Sequence, residues 1–89
     1  MEDIITTLER IKGETLSLEG IEDKSRLISL VDETIDTTEK YVSDRLALSV
    51  FLKEMKQFKK HKFATLEGDK DFATIKSDII RTFAMLNTI

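Results

Sequence analysis

Apolar residues recur along this chain at helical spacing almost from its first position. Met1, Ile4, Ile5, Leu8 and Ile11 fall at i, i+3, i+4, i+7 and i+10, the stripe of a first helix over residues 2–12. Gly13 is its expected end, and Gly13–Gly20 (GETLSLEG) is expected to be a polar loop carrying two leucines. The alternation in TLSLE has the period of a strand, but no other segment offers it a partner.

A longer pattern begins near Glu22. Leu27, Ile28, Leu30, Val31, Ile35, Tyr41 and Val42 share one face at 100° per residue, with Thr34 and Thr38 on the same stripe. Asp32, Glu33, Asp36, Glu39 and Lys40 cover the opposite side, so a helix over 22–42 with one buried face is predicted. Beyond Ser43 the phase changes: Leu48, Phe51, Leu52, Met55 and Phe58 form a new stripe, over a helix at 44–62. Ser43 and Asp44 both suit a helix cap, which favours a break there over one long rod across 22–62. Leu46 and Val50 lie on a further side, so LALSVFL (46–52) is apolar almost all round and predicts burial on several sides. Gly68 and Asp69 mark the last boundary, with Asp69 as N-cap, and Phe72, Ile75, Ile79, Ile80, Phe83 and Leu86 line a final helix over 69–87.

Composition narrows this to one all-α domain over 1–89, a small bundle of three to five helices. Proline is absent and glycine occurs only three times in 89 residues. A chain this short buries only about 60–65% of the surface that its unfolded form exposes. Without cysteine no disulfide or thiolate metal site can brace it, so a helix-mediated dimer, or another homo-oligomer, is expected to add core. The N-terminus lacks the basic and apolar regions of a signal peptide, and no apolar run approaches the roughly 20 residues of a membrane span. A cytoplasmic protein is the expectation.

Charge changes the picture more. Residues 1–44 carry 12 acids against 5 bases, and residues 45–89 carry 5 acids against 9 bases. Opposite halves of this kind attract each other, within one chain or between two. The positive charge is concentrated in KEMKQFKKHK (53–62). On a helix, Lys53, Lys56 and Lys60 line the side away from Phe51, Met55 and Phe58, with Lys59 at the edge. Such a face serves as a solvated surface that complements the helix dipole, or as a handle for an anionic partner.

Among partners, nucleic acid is disfavoured by the net charge of −3 and the shortage of arginine for base-edge contacts. A membrane surface is disfavoured because Phe51, Met55 and Phe58 are needed as core. Another protein is the favoured partner, and the alternative is a small nucleic-acid-binding protein that grips phosphate through the basic segment 53–62. Leu46, Val50 and Phe51 are the candidate subunit or partner interface, and Lys53, Lys56 and Lys60 the candidate electrostatic contact. No cofactor or metal site is predicted: the acids of 32–39 lack the glycine-containing loop of a calcium site, and His61 stands among Lys59, Lys60 and Lys62, which repel a cation. No phosphate-cradling glycine loop or nucleophile elbow occurs, so an enzyme is not expected.

The run DETIDTTEKYVSDRLALSVFLKEMKQFKKHKF (32–63) resembles the small cytoplasmic accessory antiholins, the RIII family, of T4-like phages. The resemblance implies lysis inhibition: binding to the cytoplasmic N-terminal part of a phage holin, which delays pore formation. It transfers no functional residue. The residues themselves suit a regulator that binds protein, and an antitoxin, an immunity protein or an anti-host inhibitor fits them equally.

Overall fold

The computed structural model describes residues 2–42 and 47–88. The order is α1 (Glu2–Leu16), a short 3-10 turn (Ile21–Asp23), α2 (Lys24–Glu39), α3 (Ala47–Gln57), α4 (Asp69–Phe83) and a final 3-10 turn (Ala84–Thr88). A π turn (Phe58–Lys62) and a 3-10 turn (Phe63–Thr65) extend α3. Among the described residues there is no strand, and TLSLE is part helix and part loop. The all-α bundle expected from the apolar pattern is the observed fold.

The stripes become the core. Ile4, Leu8 and Ile11 of α1 meet Leu27, Leu30, Val31 and Ile35 of α2; Leu48, Phe51 and Met55 of α3 meet Phe72, Ile75, Ile79 and Phe83 of α4. α1 packs on α2 and α4, and α3 packs on the same two helices, so the four close around one interior. All five phenylalanines are buried, and the Phe51 and Phe83 rings lie 5.5 Å apart in a tilted arrangement. Each such side chain contributes about 1.5–3 kcal/mol by leaving water. Thr34 and Thr38, on the α2 stripe, are buried because each hydroxyl donates to the carbonyl four residues back, Leu30 and Thr34 respectively.

Three boundaries differ from expectation. α1 does not stop at Gly13 but continues to Leu16. Two side chains account for that extra turn: Thr15 is buried and donates to the Ile11 carbonyl, and Glu14 pairs with both Arg10 and Arg26. These offset the roughly 1 kcal/mol that a mid-helix glycine costs. α2 ends at Glu39, not at residue 42, where the Tyr41 N–H donates back to the Thr38 carbonyl in a tightened turn. α2 and α3 are thus two helices; the predicted break at Ser43–Asp44 lies outside the described residues. Thirdly, Gly68 rather than Asp69 caps α4, and it does so without a side-chain hydrogen bond.

Asp69 is engaged elsewhere. Its Oδ1 accepts the Ile21 N–H at 2.8 Å, across 48 residues of chain. That contact joins two turns of the same pattern, Leu18-Glu19-Gly20-x-x-Asp23 and Leu66-Glu67-Gly68-x-x-Asp71. Both leucines are buried, both glycines are extended, and each closing aspartate accepts the N–H of the glutamate four residues before it. The Lys24 Nζ donates to the Leu66 carbonyl, and the Lys76 Nζ donates to the carbonyls of Leu16 and Leu18. This seam fixes the start of α2 against the start of α4 and caps the end of α1 from a neighbouring helix.

A basic surface on a π turn as the candidate functional site

The basic segment is where the chain leaves regular α geometry. Phe58 and Phe63 are both core residues, and five positions separate them. On an uninterrupted α-helix, five residues rotate through a full turn plus about 140°, so the two rings could not face one interior. The chain resolves this by widening. The Phe63 N–H donates to the Phe58 carbonyl, the i→i+5 bond of a π turn. Both rings then point inward, and the four residues between them, Lys59, Lys60, His61 and Lys62, are all exposed. In α geometry those four would span about 300°, and Lys62 would fall on the inward side beneath Phe58.

The acids of α2 meet this segment. Glu39 pairs with the Lys56 Nζ at 3.1 Å, and Asp32 Oδ1 with the Lys59 Nζ at 2.7 Å. Solvent does not reach that Asp32 oxygen, so the Lys59 ammonium is its partner. The hydrogen bond to Asp32, and then the charges of Asp32 and Asp36, raise the Lys59 ammonium above the usual lysine pKa. Glu33 turns the other way and pairs with Arg10 of α1, which together with Glu14 raises the Arg10 guanidinium. The acidic face of α2 is therefore a charge seam between its neighbours and not simply a solvated side. Part of the attraction between the two halves of the chain acts within one molecule.

Three lysines of the basic segment are left over. Lys53, Lys60 and Lys62 are exposed and make no ion pair with any other described residue. Val50 sits one turn before Lys53 on the same outer line of α3, with 53% of its surface exposed, against 0% for Phe51. Of the proposed apolar interface, Val50 is thus presented to the outside. Phe51 is a core side chain packed on Phe83, and its burial shifts any direct apolar contact with a partner onto its neighbour. Leu46 lies outside the described residues. Of the electrostatic candidates, Lys53 and Lys60 are free of acids and Lys56 is shared with Glu39. Lys62, which helical stepping assigns to the buried side, belongs to the surface. The signal for it in the sequence is F-KKHK-F, two core rings at a spacing of five.

The surroundings of Lys62 are mixed in sign. Two open hollows flank it, one of about 220 Å³ reaching Lys70, Asp71 and Asp78, the other of about 240 Å³ reaching Glu54, Asp78 and Arg81. A third hollow, of about 310 Å³ between Leu16, Phe72, Ala73, Lys76 and Ile80, is more apolar. The Lys76 ammonium there is held by the Leu16 and Leu18 carbonyls, which leaves it little to offer an anion. Among the described residues, no three His, Cys, Asp or Glu side chains converge as a metal site would require. No helix among them is long and apolar enough to cross a membrane. No protein-family model matches this chain, and neither a curated protein nor a solved structure matches it.

Proposed function

We propose that this protein is a non-enzymatic regulator that acts by binding another protein, with a phage antiholin that engages the cytoplasmic part of a holin as the most specific form. One observation supports the reading above others. The bundle pairs Asp32, Glu33 and Glu39 of α2 internally, yet among the described residues Lys53, Lys60 and Lys62 have no ion-pair partner, and Val50, one turn before Lys53, is exposed. Exposed charge next to one apolar anchor suits a transient protein contact, in which rim charges govern the encounter and a small apolar centre holds the complex. Its place of action on this reading is the cytoplasm, where the N-terminal part of a holin is accessible.

The experiment is a titration with a synthetic peptide of the holin's cytoplasmic N-terminal segment, followed by calorimetry. Saturable binding that Val50→Asp weakens at least tenfold agrees with the reading; no heat at any concentration opposes it. The same face is the place for a second copy of this chain to add apolar burial. Sedimentation at several concentrations tests that: a mass that rises with concentration in the native protein, but not in Val50→Asp, supports self-association through α3.

A further inference from the structure

The π turn has a counterpart in the other half of the chain. Around the two LEG-x-x-D turns the halves match at a constant distance of 48 positions, from Leu18 to Leu66. The Leu18 N–H donates to the Thr15 carbonyl, and the Leu66 N–H donates to that of Phe63. The Ser17 and Thr65 hydroxyls donate to the Glu14 and Lys62 carbonyls respectively. Further on, the Thr34 and Thr82 hydroxyls donate to the Leu30 and Asp78 carbonyls. Burial keeps the same register: Leu27, Val31 and Ile35 of α2 correspond to Ile75, Ile79 and Phe83 of α4, and all are core residues. The packing is symmetric as well. Exchanging α1 with α3 and α2 with α4 leaves the set of touching helices unchanged.

The match slips by one position at the π turn. Before it, Ile4, Leu8 and Ile11 of α1 correspond to Phe51, Met55 and Phe58 of α3, 47 positions on, and all are buried. After it, Thr15 and Leu18 correspond to Phe63 and Leu66, 48 positions on, and these are buried too. Three residues stand between Ile11 and Thr15, and four between Phe58 and Phe63. Four steps of an α-helix return a side chain to nearly the same face, so Ile11 and Thr15 both point inward without distortion. Five steps do not. The extra residue is taken up by the i→i+5 bond from the Phe63 N–H to the Phe58 carbonyl.

We infer that the chain is one helical hairpin used twice, α1–α2 and α3–α4, and that the π turn is a single residue inserted into the second hairpin. The bundle does not need that residue in order to fold, because α1 supplies the same core positions with one residue fewer. What the insertion changes is presentation. Lys12 and Glu14 of α1 are half-buried, whereas Lys59, Lys60, His61 and Lys62 are all exposed. This device stands whatever the basic segment binds.

Single-residue deletions in the full chain test it by urea unfolding and circular dichroism. Removing His61, or Lys60 in a second variant, brings Phe58 and Phe63 to the spacing of four that regular α geometry accommodates. Both variants are expected to keep the native helical signal, with a urea midpoint at or above the native one. Removing Gly13, which lies between Ile11 and Thr15 in α1, turns Thr15 and Leu18 about 100° away from the core face. That variant is expected to unfold at a much lower midpoint or to lose its cooperative transition. If both π-turn deletions lose as much as the Gly13 deletion, the bundle requires the fourth residue and the inference is overturned.

Discussion

The first half of this chain is acidic and the second half basic, and the two halves handle their charge differently. In the α1–α2 half, Asp32, Glu33 and Glu39 each have a cationic partner on a neighbouring helix, and Glu14 has two. In the α3–α4 half, Lys53, Lys60 and Lys62 have no such partner among the described residues. Net charge would suggest the reverse, since acids outnumber bases overall. The difference teaches that surface charge follows from where helices pack, not from totals. α2 lies between Arg10 of α1 and Lys56 and Lys59 of the α3 segment, whereas α3 and its π turn pack on α2 and α4 and keep an outer side.

The largest effect is expected where the second half carries the core. Phe51→Ala removes a ring with 0% exposure that packs on Phe83, at a cost of about 3–5 kcal/mol; urea unfolding reads this as a large fall in midpoint. Val50→Ala, one residue earlier, is expected to change the midpoint little because the side chain is half outside. Equal losses at the two positions would erase the division of α3 into a core side and a presented side.

Next comes the seam between the halves. A Cβ added at Gly20 would lie 2.8 Å from the Asp69 carboxylate oxygen, so Gly20→Ala drives Asp69 off the Ile21 N–H. About 1–2 kcal/mol is the expected loss in the same urea assay. Its twin, Gly68, has no atom within 4 Å of an added Cβ, and Gly68→Ala should be close to neutral. A smaller change of opposite sign is expected at Gly13, which lies inside α1 with open space around it. Gly13→Ala should raise thermal stability by about 0.5–1 kcal/mol.

The smallest effect concerns the ion pairs that join the halves. The folded state raises the Lys59 pKa, chiefly through its hydrogen bond to Asp32 with Asp36 nearby. Its contribution is thus fully present below the ordinary lysine pKa, about 10.5, and is lost as pH rises through the raised value. Urea midpoints of the native protein and Lys59→Gln should differ at pH 8 and converge as pH rises through the raised Lys59 pKa. A difference that persists at high pH would assign the role of Lys59 to its aliphatic stem rather than to its charge.

How far the sequence could be read follows from the same comparison. The stripes of α1, α2 and α4 were legible because regular α geometry places residues at 100° steps, and Ile4, Leu8, Leu27, Leu30, Phe72 and Ile79 are buried as that stepping requires. Stepping failed where geometry changed. It stopped α1 at Gly13, because the support for the next turn comes from Arg26 and Thr15 in a packed context. It gave no warning of the π turn, in which four residues separate two core rings and Lys62 stays outside. The Asp69–Ile21 contact spans 48 positions, and local propensity carries no information about it, although the repeated LEG-x-x-D pattern does mark both of its sides.

The claim on which the functional reading depends is that the π turn sends Lys59, Lys60, His61 and Lys62 all outward while Phe58 and Phe63 share the core. A soluble paramagnetic agent, added during proton relaxation measurements on the native protein, probes this residue by residue. Strong relaxation enhancement at all four of these side chains, with both rings protected, is the predicted result. Protection of Lys62 together with enhancement at Phe63 would mean that the segment continues as ordinary α-helix, and the basic surface described here would not exist in that form.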